Sequence, residues 1–273
     1  MQMPAFETIS VSLDQGIARI ALNRPDKANA INLRMWDELR ESMRWLTRTT
    51  TARVGILEAR GRHFCAGLDL GTFEELRQLT ADSCDGRARE KLREHILDIQ
   101  DTITAIERCT KPVIASVHAA CVGGGIDIIA ACDLRYACNQ AWFCVKEIDV
   151  GLVADVGTLQ RLPKLVGEGL AREMAFSGRR VDGQEAQAMR RVNRCFESEE
   201  ALTEGVNMMA RTLAEKSPLA MRGTKHMLNH ARDHRIGDGL EHVATWNSAM
   251  LYSKDLEEAI NAARDKRRPI FLD

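Results

Sequence analysis

The sequence predicts an α/β core followed by a helical segment. Short β-branched runs alternate with helical patterns through the first half of the chain, whereas helical patterns dominate after about residue 157. The chain has 273 residues, 45% of them hydrophobic, which is enough for a sizeable buried core. We expect residues 1–197 to form the α/β core. Residues 198–273 are expected to form helices that pack on that core or on another subunit.

The first elements are a hairpin and a helix. Residues 9–13 and 17–22 are short and rich in β-branched side chains, and the Asp-Gln-Gly between them is typical of a tight turn. The Asn-Arg-Pro-Asp that follows interrupts the pattern. From residue 33 to 46, apolar side chains recur every three or four positions. This spacing predicts an amphipathic helix, with Asn32 as its N-cap.

Further strands and a second helix follow. Residues 54–57 and 112–117 have the apolar character of buried strands, and residues 61–71 are expected to form a loop. Strands separated by a helix of this length predict crossover units and a largely parallel sheet. The helix predicted between these two strands has one apolar face, formed by Leu92, Ile96, Ile99, Ile103 and Ile106.

The second half is predicted to contain six helices. Strand signals are weak there, and apolar residues follow the helical period. The expected helices span residues 157–166, 168–177, 183–189, 199–215, 220–233 and 239 to about 264.

Charge and composition exclude several classes of protein. Lys and Arg total 38 against 39 Asp and Glu, so we expect neither a nucleic-acid partner nor a membrane partner. No apolar run approaches the roughly 18–20 residues that span a bilayer. The chain ends carry no secretory, transit or peroxisomal pattern, which predicts a cytoplasmic location. The eight cysteines include no CxxC pair, so buried, reduced thiols are expected.

A glycine-rich turn is the first candidate for chemistry. Gly123, Gly124 and Gly125 follow a strand and precede a run of small residues typical of a helix. Backbone N–H groups at such a turn can bind a phosphate or a developing oxyanion. The glycines can equally serve only to pack a helix closely on the sheet. Their spacing fits neither a dinucleotide fingerprint nor a P-loop.

Three acids are candidates for proton transfer. Asp127 lies in the glycine-rich turn, and both Glu147 and Asp155 have apolar neighbours. Burial raises the pKa of a carboxyl group, which suits proton transfer. Two other interpretations stay open at this point. Glu147 can be an exposed neighbour of charged residues, and Asp155 can cap a helix that begins near Val156, which would lower its pKa.

Two weaker patterns complete the inventory. Residues 64–70 (FCAGLDL) form a small-residue loop after a strand, which can also offer N–H groups. His226, His230 and His234 recur at every fourth position on one helical face. Such a stripe can bind a metal. Because no carboxylate signature accompanies it, we favour a surface or interface face and predict no metal site.

Five motifs occur in a characteristic order along the chain. They are LNRP (22–25), FCAGLDL (64–70), KPVIA (111–115), GGGID (123–127) and ACDLR (131–135), followed by DKRRP (265–269) and Phe271 near the end. Together they resemble the enoyl-CoA hydratase/isomerase (crotonase) superfamily, and the resemblance runs nearly end to end. It implies a crotonase (ClpP/crotonase-like) α/β fold of repeated ββα units in two sheets, with C-terminal helices that mediate trimers or dimers of trimers.

One stretch narrows the resemblance. Typical hydratases of the superfamily carry two glutamates, whereas this chain has Asp127 and Glu147 in those places. It also has Asp155 where hydratases usually carry glycine. Residues 145–164 closely resemble the dienoyl-CoA isomerases of the superfamily. The implied activity is therefore isomerisation of 3,5-dienoyl-CoA to 2,4-dienoyl-CoA in the β-oxidation of unsaturated fatty acids.

The resemblance also implies the site. The backbone N–H groups of Leu68 and Gly124 would form an oxyanion hole for the thioester. Coenzyme A belongs to the substrate, and no other cofactor is expected. The residues implied in substrate and CoA binding are Lys27, Ala28, Ala66, Gly67, Asp69, Leu70 and Gly125.

The chemistry suggests a role for each acid. A 1,5-proton shift needs a base at C2 and an acid at C6, which lie too far apart for one carboxylate. Our hypothesis is that Glu147 takes the C2 proton, Asp155 delivers one to C6, and Asp127 orients Glu147. Asp155 must then be protonated at rest, which conflicts with a helix-capping role. The alternatives are an enoyl-CoA hydratase, in which Asp155 has no evident task, and an RNA-binding member of the fold.

Overall fold

The computed structural model describes residues 3–273, and two sheets form its centre. A six-stranded sheet has the order β1-β2-β3-β4-β6-β9, and a three-stranded sheet has the order β5-β7-β8. The strands of residues 3–273 are β1 (Ile9–Asp14), β2 (Ile17–Leu22), β3 (Val54–Ala59), β4 (Val113–Val117), β5 (Ala120–Val122), β6 (Leu134–Cys138), β7 (Trp142–Cys144), β8 (Val181–Asp182) and β9 (Arg194–Phe196).

Helices connect and cover these strands. Short 3₁₀ turns also occur at Pro25–Lys27 and Glu147–Val150. The α-helices are α1 (Leu33–Arg48), α2 (Gly71–Leu79), α3 (Asp85–Arg108), α4 (Gly124–Ala130), α5 (Thr158–Val166), α6 (Glu168–Ser177), α7 (Gly183–Ala188), α8 (Glu199–Ala214), α9 (Pro218–Asp233), α10 (Ile236–Met250) and α11 (Lys254–Arg264).

The large sheet is mostly parallel, as predicted. β1 and β2 form the expected antiparallel hairpin. From β2 onward, β3, β4, β6 and β9 each join in parallel. Parallel neighbours require long crossover connections. α1 lies in the crossover from β2 to β3, and α2 and α3 lie in the next one. The predicted α/β class with a largely parallel sheet is confirmed.

Helix α1 confirms the sequence reading of both its start and its buried face. The Asn32 side chain accepts a hydrogen bond from the N–H of Met35 at 3.0 Å, which caps the helix. α1 packs against α3 and the sheet. Its core-facing residues are Met35, Trp36, Leu39, Met43 and Leu46.

The residues after 197 complete the core of the α/β part. Leu202, Val206 and Ala210 of α8 pack in one buried cluster with residues of β3, β4 and β6. The buried Lys225 of α9 donates to the carbonyl oxygens of Ile106 (3.3 Å) and Lys111 (3.0 Å) and to Asp133 (2.7 Å). The described C-terminal helices thus dock on the sheet at α8, and α9 places one ammonium group against the end of α3 and the segments that lead into β4 and β6. The division at residue 197 stays a prediction.

Several local predictions were wrong. The helix α2 was not predicted, because its apolar side chains such as Phe73 lie exposed and leave no clear stripe. The strands β5 to β9 were missed, since each has only two to five residues, too few to show a strand pattern. The single helix predicted from residue 239 to 264 is two helices. The Ser253 side chain accepts from the N–H of Leu256 at 3.2 Å and begins α11 anew.

The structure also shows where the cysteines lie and whether a described helix could cross a membrane. The eight cysteines are free thiols, and six of them are buried, as predicted. Within residues 3–273, no helix has the length and apolar character needed to cross a membrane.

Candidate active site

The glycine-rich turn joins β5 to α4 and lies against an acid. Gly123 has a φ of 52°, which favours glycine. A β-carbon at this position would lie 3.1 Å from Oε1 of Glu147. The Glu147 carboxylate therefore lies against Gly123, beside the first residue of α4. A larger residue at position 123 would displace that carboxylate.

The small-residue loop lies directly against this turn. The N–H of Cys65 donates to the Ala120 carbonyl oxygen at 2.9 Å, and its own carbonyl accepts from Val122 at 3.0 Å. These two bonds align the loop alongside β5. Gly67, with a φ of 98°, places its α-carbon 3.6 Å from the β-carbon position of Gly123. The two loops are in van der Waals contact.

Two N–H groups in these loops are unused. Leu68 is held in place because the N–H of Asp69 and the carbonyl of Gly67 both bond to Ile31, at 2.9 and 2.8 Å. Within residues 3–273, the N–H groups of Leu68 and Gly124 have no acceptor. The pair predicted as an oxyanion hole is therefore available to bind a ligand oxygen.

Asp127 is the most deeply buried of the three acids. Its Oδ1 accepts from the N–H of Thr158 at 2.5 Å, whereas its Oδ2 has no partner among the described residues. Its pKa is raised to about 7, mainly by burial and also by the charges of Glu147 and Asp155, against the lowering effect of the Thr158 bond. Asp127 therefore caps helix α5 from a distance of 31 residues in sequence.

Asp155 does not cap that helix, so the capping interpretation was wrong. Gly157 precedes α5, and the side chain that bonds to the first helical N–H is that of Asp127. The carbonyl oxygen of Asp155 accepts from Nε2 of Gln100 at 2.6 Å, which fixes the backbone. Asp155 is the most exposed of the three acids, and partial burial raises its pKa.

Glu147 begins a 3₁₀ turn and points back toward the glycines. Its Oε2 is buried without a partner among the described residues. Burial raises its pKa, and the charge of Asp155 adds to that effect. Three carboxylates thus influence one another's protonation with no cation bound to any of them in residues 3–273.

The three acids share one site, but the predicted link between two of them has no direct contact behind it. In the part of the chain that the structure describes, no hydrogen bond joins Asp127 to Glu147. Asp127 instead fixes Thr158, three residues beyond Asp155. The sequence analysis missed Thr158 and Gln100. The glycine before α5 was the available signal, because a helix start without a local cap needs a distant one.

The residues implied in CoA binding form a compact group near the loops. The N–H of Ala66 donates to the Ala28 carbonyl oxygen at 3.0 Å, next to Lys27. Asp69 binds Arg24 at 2.9 Å and the N–H of Gly71 at 3.1 Å, and these bonds lower its pKa. These two contacts already occupy the Asp69 carboxylate.

Three other implied residues differ in accessibility. Leu70 is 76% exposed. Gly67 lies at the contact between the two loops. Gly125 is buried, and a β-carbon there would lie 2.8 Å from that of Cys65. Gly125 therefore serves the packing of α4 on the loop, whereas Leu70 is open to a ligand.

The histidine stripe packs against a fourth histidine. Nε2 of His226 lies 2.8 Å from Nε2 of His242 on α10. The ring of His230 stacks on those of His234 and His242, at centroid distances of 3.7 and 4.2 Å. Among residues 3–273, no group of three or more side chains is arranged to hold a metal ion.

Sequence and structure comparisons confirm the predicted crotonase fold class. The profile of the enoyl-CoA hydratase/isomerase family matches residues 12–273. The peroxisomal Delta(3,5)-Delta(2,4)-dienoyl-CoA isomerase of Arabidopsis thaliana is 42% identical over 99% of both chains. The mitochondrial enzyme of the same name from Mus musculus is 40% identical over 96% of this chain and 81% of its own. An enoyl-CoA hydratase structure from Bacillus anthracis superposes with a TM-score of 0.88 at 28% identity, covering 97% of this chain and 99% of its own.

These relatives overturn one prediction. Their names place them in peroxisomes and mitochondria, so the predicted cytoplasmic location is wrong. The prediction depended on missing address patterns, and an absence of that kind says nothing about where a protein is delivered.

Proposed function

This chain belongs to the enoyl-CoA hydratase/isomerase family, and we propose that it isomerises 3,5-dienoyl-CoA to 2,4-dienoyl-CoA. One observation carries the proposal: Asp127, Glu147 and Asp155 share a site beside two unused N–H groups. Relatives named for this reaction are about 40% identical over nearly the whole chain. The reaction belongs to the oxidation of unsaturated fatty acids.

The two N–H groups would stabilise the charge that forms in the reaction. Loss of a C2 proton from the thioester leaves an extended enolate, with charge on the thioester oxygen. The N–H groups of Leu68 and Gly124 would donate to that oxygen. Donors of this kind are fixed before the reaction, and losing one typically costs ~10²–10³ in rate.

Glu147 would be the base at C2. Its carboxylate lies against Gly123, next to the Gly124 donor, so base and oxyanion hole address neighbouring atoms of one substrate. Burial and the charge of Asp155 raise its pKa and strengthen it as a base. The proton leaves C2, and its electron pair spreads along the conjugated chain toward C6.

Asp155 would deliver a proton to C6. Its raised pKa favours the protonated form that this step requires, and a bound acyl chain would bury it further. The electron pair at C6 takes that proton, which leaves double bonds at C2 and C4. Between turnovers the proton passes from Glu147 back to Asp155, and the acids return to their starting states.

Asp127 would act as a positioning residue. Its bond to Thr158 fixes the segment that carries Asp155. The CoA part would lie along Lys27, Ala28, Ala66 and neighbouring loop residues, with Leu70 at the entrance. Because the chemistry is proton transfer alone, we propose that no cofactor beyond the CoA of the substrate takes part.

We also propose a homotrimer or a dimer of trimers. Helix α10 has no buried residue in the single chain, although it carries large apolar side chains. Surfaces of this kind mark interfaces. The exposed side chains on α10 and just beyond are Ile236, Leu240, Met250, Leu251 and Tyr252. Sedimentation velocity would give the number of subunits, and a monomer at micromolar concentration would contradict the proposal.

The test of the reaction is a spectrophotometric assay with 3,5-octadienoyl-CoA, following the rise of 2,4-dienoyl-CoA absorbance. We expect isomerisation by the wild-type chain and a loss of ~10²–10⁴-fold in kcat for Asp155→Asn. Asp149→Asn is the matched control, since this exposed aspartate six residues earlier pairs with Lys146. Its activity should equal that of the wild type.

Crotonyl-CoA is the second substrate in the same assay. Hydration of crotonyl-CoA without isomerisation of the dienoyl substrate would contradict the proposal and identify a hydratase. Retention of full isomerase activity in Asp155→Asn would leave the reaction intact but refute the role of Asp155.

A further inference from the structure

Four histidines form a cluster that the proposed reaction does not use. His226, His230 and His234 of α9 meet His242 of α10, and their rings are in contact. Nε2 of His226 lies 2.8 Å from Nε2 of His242, and the ring centre of His230 lies 3.7 Å from that of His234 and 4.2 Å from that of His242. An imidazole gains a positive charge near pH 6.5, so this histidine cluster packs four titratable groups side by side.

The contact between His226 and His242 requires that one of the two rings is neutral. A hydrogen bond joins a nitrogen that carries a proton to one that offers a lone pair. If both rings are protonated, both Nε2 atoms carry a proton and both rings are positive. Two such N–H groups repel each other at 2.8 Å, so a proton on the second ring must separate the rings.

The stacked rings have the same limit. The planes of His230 and His234 lie only 7° apart, and Nδ1 of His234 donates to the His230 carbonyl oxygen at 2.8 Å. The pKa of His230 is lowered, mainly by partial burial and also by the charges of His234, His242 and His226. The stacked arrangement therefore favours a neutral His230.

The surrounding charges do not balance a second proton in the histidine cluster. Within residues 3–273, none of the four histidines forms an ion pair, and Asp238 is the acid whose charge acts on His230. Arg235, in the connection between the helices, and Glu241 of α10 are exposed. The other charged groups along α9 are already paired: Arg222 with Asp273, Asp233 with Lys164 of α5, Arg232 with Glu107 of α3, and Lys225 with Asp133.

Helix α10 is attached to the rest of the chain through α9. None of its residues is buried in the single chain, and it packs on α9. Trp246 adds to the histidine contacts, because its Nε1 lies 2.7 Å from the β-carbon position of Gly223 and its ring centre lies 5.6 Å from that of His226. An element with so little buried surface opens at small cost in free energy.

We propose that the histidine cluster is a pH-sensitive contact, in which a second proton separates the rings and releases α10 from α9 as pH falls from about 7 to about 5. This release does not depend on the proposed reaction. Because α10 carries the apolar side chains proposed as the subunit interface, its release would also dissociate the oligomer. That last step rests on the proposed assembly.

The test is hydrogen exchange of the full chain, measured by mass spectrometry on peptides of α10 between pH 8 and 5 and corrected for the intrinsic pH dependence of exchange. If opening of α10 takes up one proton, the opening equilibrium rises by up to tenfold for each pH unit below about 6.5. We expect the protection of α10 to fall about tenfold or more from pH 7 to 5, while that of α1 stays constant. Constant protection of α10 would overturn the inference.

Two variants assign the effect to the histidine cluster. His242→Gln keeps a side chain that can form hydrogen bonds but cannot become charged, and the protection of its α10 should no longer depend on pH. His230→Gln leaves the contact between His226 and His242 in place, and its loss of protection should occur at lower pH than in the wild type. His95→Gln, on α3, is the control and should respond like the wild type.

The His230→Gln variant decides the question if α10 of His242→Gln is already unprotected at pH 8. A loss of protection in His230→Gln at the same pH as in the wild type would place the titrating group elsewhere and overturn the inference.

Sedimentation velocity at pH 8 and pH 5 separates this inference from the proposed assembly. We expect the oligomer at pH 8 and smaller species at pH 5. An oligomer that persists at pH 5 while α10 loses protection would refute the dissociation step. A monomer at both pH values would refute the proposed assembly, and hydrogen exchange would still decide whether protons release α10.

Discussion

Two carboxylates from other parts of the chain bind helix α5 within its first turn. Asp127 accepts from its first N–H, and Glu107 binds Arg161 three residues later at 2.8 Å. Arg232 reaches Glu107 from α9. Burial by itself raises the pKa of both acids. At Glu107 the two arginines outweigh that effect and lower the pKa, whereas at Asp127 no cation is bound and the pKa rises to about 7.

This difference in pKa distinguishes a carboxylate that stabilises the structure from carboxylates that can transfer a proton. A carboxylate bound to two arginines stays charged and joins three helices, α3, α5 and α9. Carboxylates that lack such partners can exchange protons near neutral pH. The acids at the glycine-rich turn are of the second kind. Four experiments would test this difference between Glu107 and the acids at the glycine-rich turn.

The largest effect is expected on turnover. Glu147→Gln removes the base, and we expect kcat to fall by ~10³-fold or more, near the upper range for acid–base catalysis. Steady-state kinetics with the dienoyl substrate would measure the loss. Glu107→Gln makes the same chemical change at the ion-paired carboxylate and should leave kcat of the folded protein unchanged. Comparable losses of kcat in both variants would show that the two carboxylates do not differ in function.

Displacement of the base should cost less than its removal. Gly123→Ala places a β-carbon 3.1 Å from Oε1 of Glu147 and should lower kcat by roughly 10²-fold through misplacement. Gly167→Ala is the control, since its φ of 83° imposes similar backbone strain with open space around the new carbon. Equal losses in the two variants would attribute the effect to strain.

Stability should respond in opposite directions at the two acids. Breaking a buried ion pair costs about 3–5 kcal/mol and an exposed one about 0–1, so Glu107→Gln should lower the free energy of unfolding by about 2 kcal/mol. Asp127→Asn at pH 8 should raise it, because a neutral amide replaces a buried charge and can still accept from Thr158. Urea denaturation would measure both, and a stability loss in Asp127→Asn would contradict this view.

The smallest expected effect is on how steeply the free energy of unfolding changes with pH. The pKa of Asp127 rises from 3.8 to about 7 on folding, so its contribution is full below pH 3.8 and is lost as pH rises to 7. Glu107 has a lowered pKa in the folded chain. Its contribution is present above its ordinary value of 4.5 and is lost as pH falls. Unfolding free energies at several pH values should show a flatter curve for Asp127→Asn.

The sequence predicted elements whose information is local. The period of α1 and its Asn32 cap lie within one stretch of chain, and so does the hairpin of β1 and β2. The acids were identified as candidates, but their partners were not. Thr158 lies 31 residues from Asp127, and Arg161 and Arg232 lie 54 and 125 residues from Glu107. The local sequence can show that a helix start lacks a cap, as at Gly157, but it does not show which distant residue supplies one.

Arg191 is a second feature that the sequence does not predict. An arginine between Arg190 and Val192 is expected at the surface, because arginine is rarely buried fully. The structure buries its side chain completely, three residues before the unpredicted strand β9. Where tertiary packing overrides residue preference, the pattern of a single segment is misleading.

The ammonium of Lys225 has a consequence for synthesis on the ribosome. The chain emerges from its first residue, so β3, β4 and β6 exist before α8 and α9 do. Until the later helices are synthesised, the apolar face formed by Val54, Ile56 and Ile114 is uncovered. The carbonyl oxygens that Lys225 binds in the finished fold also lack this donor until then. The nascent α/β part therefore cannot bury this face by itself, and its folding finishes only as translation ends.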